Sequence, residues 1–307
     1  MSKVRTSASL TSWLQSRWQS VVSGIPFIWL LLFFLAPFFI VLKISLAESI
    51  IASPPFTKLL NWDGGLPSLT ASIDNFAYLW EDSLYVRTYI NSIKIAFIST
   101  VLCLLIGYPM AWAIVRSQDT TRYILLLLII LPFWTSFLLR VYAWMGLLAD
   151  QGTLNSFLIW LGVIEKPIRL LYSQFAVYVG IVYSYLPFMI LPLYANMEKL
   201  DTSLQEAAAD LGARPLAGFF TVTLPLTAQG ILAGSLLVFI PATGEFVIPD
   251  LLGGGNVLMI GRILFSEFNS NHDWPVASAV AIALVIVLVV PMMLYHRVQA
   301  SEASRQS

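Results

Sequence analysis

Charged residues are scarce in this sequence, and neither sign is in excess. Only 11% of the 307 residues are charged, whereas 58% are hydrophobic. Because a soluble domain carries about 25% charged residues, these side chains could not cover a surface in water. The 17 basic and 17 acidic side chains cancel, which excludes the basic stripe that a nucleic-acid-binding surface would show. The composition therefore predicts a membrane protein that does not bind nucleic acid.

Several catalytic and ligand-binding motifs are also missing. The single cysteine, Cys103, lies in an apolar run and cannot form an internal disulfide, so we interpret it as a small buried hydrophobic residue. There is no G-x-x-x-x-G-K-[ST] phosphate loop, which excludes nucleotide binding of that kind on this chain. The absence of H-E-x-x-H and G-x-S-x-G excludes the metalloprotease and hydrolase sites that those motifs build. We predict no catalytic residue, metal site or cofactor on this chain.

The chain does contain six long apolar runs. A membrane core of about 30 Å needs about 20 mostly apolar helical residues. The runs lie at 25–42, at 95–115, from 123 past Arg140, within 170–196, within 215–244 and at 274–295. Prolines inside them predict kinks, because neighbouring helices can satisfy the freed carbonyl groups. The sequence thus predicts an all-α membrane protein with six transmembrane helices.

The first run follows a basic segment and has the features of an anchor or of a signal peptide. Its uncharged core exceeds the roughly 7 to 15 residues of a signal peptide. We therefore favour an uncleaved helix at 25–46, although Ser45-Leu46-Ala47 loosely resembles a cleavage site. A loop at 47–88 follows. Its five acidic residues could meet a cationic substrate or a binding protein, or could simply be solvated.

The basic residues predict the orientation of the helices. With the N-terminus inside, the inner segments hold nine Lys and Arg residues and the outer segments five. Cytoplasmic loops carry the excess of such residues. Both termini are therefore predicted to be cytoplasmic, with tails at 1–24 and 297–307. The same orientation makes the 47–88 loop periplasmic and puts the segment 198–224 inside the cell.

The segment 198–224 contains a helix with recognisable ends. Ser203 is a predicted N-cap with Glu206 three residues on, and strong helix formers follow. Gly212 fits the left-handed position that closes a helix, and Pro215 can occupy the first turn of the next. Such a helix could be a rigid knob that inserts into a partner protein, or an amphipathic connector lying on the membrane surface.

The residues of this segment resemble the EAA loop of ABC importer permeases, and we call 198–224 the EAA loop. Glu206-Ala207-Ala208 is followed by Gly212 and, after nine intervening residues, by Val222-Thr223-Leu224-Pro225, with Val222 where the family usually has Ile. In that family the loop is a coupling helix that docks on the ATP-hydrolysing subunit. The coupling residues implied by the resemblance are Glu206, Ala207, Ala208, Gly212, Leu224 and Pro225.

The resemblance extends to the permeases of bacterial putrescine and spermidine importers and is greatest for the putrescine type. It covers about 25–295 and rests on LPFWTSF at 131–137, GEFVIPDLLGG at 244–254 and NHDWPVASA at 271–279. It implies the type I ABC importer permease fold over 89–296 and a polyamine substrate. Related permeases serve iron, sulfate or molybdate, so these substrates stay open.

The resemblance also implies partners for this chain. Two permeases enclose the pathway in this family, and polyamine importers generally use two different ones. A dimer of ATP-binding subunits, which holds ATP and Mg, docks on the cytoplasmic side of the bacterial inner membrane, and a periplasmic polyamine-binding protein delivers the substrate. This chain would then be a transporter subunit and not an enzyme. An intramembrane enzyme would need a reactive constellation that the sequence lacks, and a channel or secondary carrier would not need a docking loop.

Four charged residues are predicted at membrane depth. Lys43 and Lys94 lie at the ends of their spans and can extend to the outer interface. Arg140 and Glu245 each lie 17 residues from the predicted inner end of their span, roughly 25 Å at 1.5 Å per residue. An ion pair between them is one interpretation. The other is that Glu245 faces the pathway and binds the ammonium group of a polyamine, with aromatic side chains adding cation–π contacts. The aromatic candidates are Trp134, Tyr183 and Tyr185.

Overall fold

The structure is a computed structural model that describes Val22 and residues 24–63, 66–201 and 203–306. The predicted 1–24 tail lies outside the described residues except for Val22 and Gly24. Most of the described chain is helical. In chain order the helices are α1 (Gly24–Ser45), α2 (Asp74–Glu81), α3 (Ser83–Val115), α4 (Asp119–Ile130), α5 (Phe137–Leu148), α6 (Thr153–Trp160), α7 (Gln174–Met197), α8 (Ser203–Asp210), α9 (Pro215–Thr243), α10 (Val247–Leu251), α11 (Ile260–Asn269) and α12 (Trp274–Gln306).

In the described part of the chain, two short strands interrupt the helical pattern. They are β1 (Leu60–Asp63) and β2 (Leu66–Leu69), which pair antiparallel with Leu60 opposite Leu69. They lie inside the predicted 47–88 loop. The helix α3 begins at Ser83, before the predicted end of that loop and before the apolar run at 95–115.

The chain divides into two compact units. The first comprises Met1–Glu81 and Glu267–Ser307, and the second comprises Asp82–Ser266. Within the described part of the first unit, α12 packs against α1 and α2. The Asn75 side-chain amide of α2 donates hydrogen bonds to the Ser45 carbonyl at 2.9 Å and the Ala47 carbonyl at 2.8 Å. These bonds fix the chain where it leaves α1.

Among the described residues, four helices are long and apolar enough to cross a membrane. They are α1, α3, α7 and α9, which together match four of the predicted runs. The apolar part of α12, Trp274–Val290, is shorter than a typical span. The chain therefore has the helical, membrane-type architecture that its composition predicts.

The predicted third span is bent. The segments Asp119–Trp134 and Phe137–Trp160 meet at 93°. A 3-10 turn at Leu131–Trp134 ends the first segment, and Thr135 and Ser136 have extended backbone angles. Pro132 has no N–H to donate and cannot continue a regular α-helix. The run from 123 past Arg140 is thus sharply bent where a proline predicts a kink, and the depth assigned to Arg140, which assumed a straight span, does not hold.

The second unit is built on close contacts of α7 with α3 and α9. One cluster of buried residues surrounds Ile181, and a second surrounds Met189. Cys103 is fully buried in the second cluster, as its apolar sequence neighbours predict. Gly234 of α9 faces Met189 so closely that a Cβ atom there would lie 2.8 Å from the Met189 sulfur and 3.1 Å from its carbonyl oxygen. Small residues at such points let membrane helices approach each other.

We expect Gly234→Ala to lower the free energy of unfolding by about 1–3 kcal/mol, because the added methyl group overlaps the Met189 backbone. Gly146→Ala in α5 is the matched control, since a Cβ atom there meets nothing within 4 Å. Thermal unfolding of each variant in the same mild detergent measures the difference. Equal stability of the two variants would contradict the close packing of α7 and α9.

Candidate functional site

The EAA loop begins where α7 ends, and α8 is its first helix. Asp201 precedes α8, and its carboxylate accepts a hydrogen bond from the Ser203 backbone N–H at 2.9 Å. Hydrogen bonds from the Ser203 backbone and side chain lower the pKa of Asp201 below its ordinary value. Ser203 is the first helical residue and not the N-cap that we predicted from the sequence. Asp201, two positions earlier, accepts the hydrogen bond from the free Ser203 N–H group instead.

Gly212 closes α8 as the sequence predicts. Its φ angle is +83°, in the left-handed region. The Ala213 N–H donates to the Ala208 carbonyl at 3.0 Å, and the Gly212 N–H donates to the Ala209 carbonyl at 2.9 Å. This pair of bonds is the Schellman motif, which satisfies carbonyl groups that the helix end leaves free. The chain then turns sharply, and Pro215 is the first residue of α9, also as predicted.

The end of the EAA loop has its own irregularity. The segment Phe219–Thr223 within α9 is a π-helix, in which the Leu224 N–H donates to the Phe219 carbonyl. Pro225 follows and has no N–H for the carbonyl four residues earlier, so regular α-helical bonding is interrupted here. π-Helical turns are frequent at functional sites. Leu224 is half-buried and Pro225 is exposed.

The loop presents an apolar surface to its surroundings. Glu206 and Ala207 are exposed, whereas Ala208 is half-buried on the opposite side of α8. Gly212 is exposed as well. Large apolar side chains lie around these residues, and single soluble chains rarely expose many such groups together unless a partner covers them. The exposed apolar residues are Leu204 at 46%, Leu211 at 90%, Leu216 at 74% and Phe220 at 60%.

Two arginines connect the EAA loop to α3 and α4. Arg116, just after α3, donates to the Gln205 side chain at 3.4 Å and lies 4.3 Å from the centre of the Trp112 ring. Arg122 of α4 pairs with Glu198 at 3.6 Å and donates to the Val115 carbonyl at 3.0 Å. Both arginines belong to the basic residues of the predicted inner segments. Arg116 directly follows the last residue of α3, where cations stabilise free carbonyl groups, and this position was the available signal.

Glu245 lies between α9 and α10 and is 8% exposed. Its Oε2 atom accepts a hydrogen bond from the Tyr185 hydroxyl at 2.5 Å. Its Oε1 atom accepts hydrogen bonds from the backbone N–H groups of Val247 at 3.0 Å and Ile248 at 3.4 Å. These N–H groups begin α10 and have no partner inside that helix. The carboxylate therefore caps α10 and joins it to α7.

Arg140 and Glu245 do not form the predicted ion pair. Among the described residues, no ion pair joins them, and the buried Nε atom of Arg140 has no hydrogen-bond partner. The guanidinium group lies instead near the rings of Phe133, at 5.5 Å, and Phe137, at 5.8 Å. The bend before α5 explains the difference, since equal counts along two straight helices no longer give equal depth.

The three aromatic candidates lie in different environments. Tyr185 contacts Glu245, as described above. Tyr183 packs edge-on against Trp144, with ring centres 5.4 Å apart, and lines an apolar cavity of about 390 Å³. No charged residue lines that cavity. Trp134 is 75% exposed at the bend between α4 and α5. The structure thus brings one of the three aromatic side chains to the carboxylate.

The sequence of this chain matches a known protein family and several known proteins. Residues 97–302 match the family described as binding-protein-dependent transport system inner membrane component. The spermidine/putrescine transport system permease protein PotB of Haemophilus influenzae is 41% identical over 285 residues, covering 92% of this chain and 95% of the relative. PotB of Escherichia coli K12 is 43% identical over 235 residues, covering 76% of this chain and 85% of the relative.

A solved structure shares the fold. It is a bacterial alginate ABC transporter in complex with an alginate pentasaccharide-bound periplasmic protein. The TM-score is 0.67 at 16% identity, and the match covers 93% of this chain and 95% of that chain. At this identity the likeness concerns the fold alone.

Proposed function

The chain belongs to the family of binding-protein-dependent transport system inner membrane components, and from this premise we propose that it carries spermidine and putrescine across the inner membrane. It is the permease component of an ABC importer and not itself an enzyme. The substrate assignment rests on the 41% identity to a spermidine/putrescine permease over 92% of this chain.

The proposed assembly follows from the exposed face of the EAA loop. The apolar side chains around Glu206 and Gly212 form a surface that an ATP-binding subunit would cover, with ATP and Mg on that subunit. A dimer of such subunits, a second and different permease and a periplasmic polyamine-binding protein complete the transporter. Closure of the ATPase dimer would move α8. The motion would pass to α7 and α9, between which the loop is held.

The proposed topology has six crossings and both termini in the cytoplasm. The four long helices α1, α3, α7 and α9 supply four crossings, the bent pair supplies another and α12 supplies the last. The excess of basic residues in the inner segments supports this orientation. The EAA loop is then cytoplasmic and the 47–88 loop is periplasmic, with the tails 1–24 and 297–307 inside and the transporter domain over 89–296.

The proposed pathway includes Glu245 as its cation contact. A polyamine is cationic at neutral pH, and a buried carboxylate is the group that would bind an ammonium ion most strongly. Tyr185 covers this carboxylate in the present conformation, so its hydroxyl group would have to release Oε2 to the substrate. Tyr183 and Trp134 are proposed as further aromatic contacts along the wall.

The proposed function predicts ATP-dependent uptake of labelled polyamines. Cells that express the complete transporter should accumulate labelled spermidine and putrescine, and each unlabelled polyamine should compete with the other, because the same carboxylate site would bind both. Deletion of the ATP-binding subunit is the control and should abolish uptake. Uptake that survives the deletion would indicate a channel or secondary carrier. Absence of polyamine uptake by the intact transporter would refute the substrate assignment.

A further inference from the structure

A cavity lies behind α8, on the side away from the exposed face of the EAA loop. Its volume is about 270 Å³, far more than one water molecule needs. Gln205 and Ala208 of α8 line one wall, and Trp112 and Phe219 line another. The cavity therefore separates the docking helix from the ends of α3 and α9.

This cavity carries positive charge without a matching carboxylate. Arg116 and Arg214 both line it, and no Asp or Glu is among its lining residues. Among the described residues, the polar and aromatic partners of the Arg116 guanidinium group are the neutral Gln205 amide and the Trp112 ring. Within the described part of the chain, the Arg214 side chain has neither a hydrogen bond nor an ion pair. Two guanidinium groups thus line one cavity with no acidic partner.

The neighbouring cavity differs in this respect. It has a volume of about 330 Å³ and shares Arg116 with the first, but its other arginine, Arg122, faces Glu198. These two side chains pair at 3.6 Å. The second cavity therefore has an acidic residue among its lining residues, whereas the described residues that line the cavity with Arg214 include none.

The residues around the cavity with Arg214 are of the types that line a membrane surface. Trp112 lies in the last turn of α3, and Phe219 lies in the first turns of α9, and both helices are long enough to cross a membrane. Tryptophan is enriched at the level of lipid headgroups. Basic pockets between membrane helices on the cytoplasmic side bind anionic headgroups. The planar guanidinium group matches phosphate oxygens in pairs.

We propose that this cavity binds the phosphodiester of an anionic phospholipid, with Arg116 and Arg214 as the phosphate ligands and Trp112 and Phe219 against the glycerol and first acyl carbons. The proposal rests on the proposed function for its orientation, which puts the EAA loop at the cytoplasmic leaflet. A bound headgroup would fill the space between α8 and the end of α3. It would thereby restrict the motion of α8, the helix that docks on the ATPase, relative to α3.

The test uses the complete transporter with wild-type permease, the double variant Arg116→Gln/Arg214→Gln, or Lys199→Gln. Lys199 is the matched control because it is a basic residue of the same loop that does not line the cavity. Each complex is purified from nanodiscs of phosphatidylcholine with or without phosphatidylglycerol, and retained lipid is measured by native mass spectrometry. We expect phosphatidylglycerol to be retained by wild type and Lys199→Gln, and its affinity to fall roughly 25-fold in the double variant, which is about fivefold for each arginine.

Three results would overturn the proposal. The first is equal retention of phosphatidylglycerol by the double variant, and the second is equal binding of phosphatidylcholine by wild type. The third is loss of the ATP-binding subunit from the double variant while lipid retention stays unchanged, which would assign the arginines to the protein partner.

Two further measurements separate the possible sources of failure. Glycerol 3-phosphate added to lipid-depleted complex distinguishes a free phosphate from a lipid, and tight binding of the free compound alone would also contradict a lipid site. Polyamine uptake by wild type is measured in parallel. Failure of that uptake would refute the proposed function and leave the lipid measurement intact, whereas normal uptake without bound lipid would refute this inference alone.

Discussion

Replacing Gly212 by valine is expected to abolish polyamine uptake, whereas replacing it by asparagine should leave much of the uptake intact. Gly212 has a φ angle of +83°. A left-handed conformation costs an ordinary L-residue roughly 1–2 kcal/mol and is a genuine outlier for a β-branched one, whereas asparagine adopts it far more readily. Valine should therefore open the turn that closes α8 and displace the docking surface around Leu211.

The open space around Gly212 makes the valine and asparagine variants directly comparable. A Cβ atom at Gly212 meets nothing within 4 Å, so neither substitution clashes, and the two side chains differ mainly in the backbone angles that they tolerate. Gly218→Ala is the matched control in the same region. Gly218 has a helical φ of −56°, and a Cβ atom there also meets nothing. This variant should transport as the wild type does.

Uptake and substrate-stimulated ATP hydrolysis are both measured for the Gly212 variants, after membrane insertion has been verified. We expect the valine variant to lose both, because a displaced α8 can neither dock nor transmit motion. Retention of wild-type uptake by Gly212→Val would contradict the docking role of the loop. Equal losses for valine and asparagine would contradict the backbone explanation.

The features that could be predicted from the sequence are local ones. Gly212 and Pro215 act through the backbone angles that each residue type permits within one turn of chain, so their roles were recognisable without a fold. The burial of Cys103 followed from its apolar neighbours. Ser203 shows the limit of such arguments. Either it or Asp201 could serve the free N–H groups of α8, and their positions differ by only two residues.

The features that could not be predicted depend on how distant segments meet. The ion pair of Arg140 with Glu245 required both spans to be straight, and the break at Leu131–Trp134 removes that condition. The contact of Tyr185 with Glu245 joins residues 60 positions apart. Proline in an apolar run predicts a kink, but the angle is set by the helices packed around it. A bend of 93° therefore lay beyond the sequence pattern.

Substitutions at Glu245 should separate its charge from its capping bonds. Glu245→Gln preserves an acceptor for the Val247 and Ile248 N–H groups but removes the negative charge. We expect it to lower polyamine uptake roughly ten- to hundredfold, since a hydrogen bond to a charged group contributes about 1.5–3 kcal/mol and each 1.4 kcal/mol is a factor of ten. Assembly and basal ATP hydrolysis should stay close to wild type, because α10 keeps its cap.

Glu245→Ala and Tyr185→Phe complete this comparison. The alanine variant removes both charge and cap, so it should also lose about 1–3 kcal/mol of stability through the unpaired N–H groups of α10. The phenylalanine variant keeps the charge and removes the neutral donor that has to release Oε2, so uptake should stay within about tenfold of the wild type. Thermal unfolding and uptake are measured on all three variants.

The decisive comparison is between the glutamine and alanine variants at Glu245. If Glu245 only caps α10, glutamine should transport normally and alanine alone should fail, because the cap needs an acceptor and no net charge. If the carboxylate binds the substrate cation, glutamine should fail in a stable, assembled transporter. Normal uptake by Glu245→Gln would therefore remove Glu245 from the pathway and leave the Tyr185 and α10 contacts as its whole role.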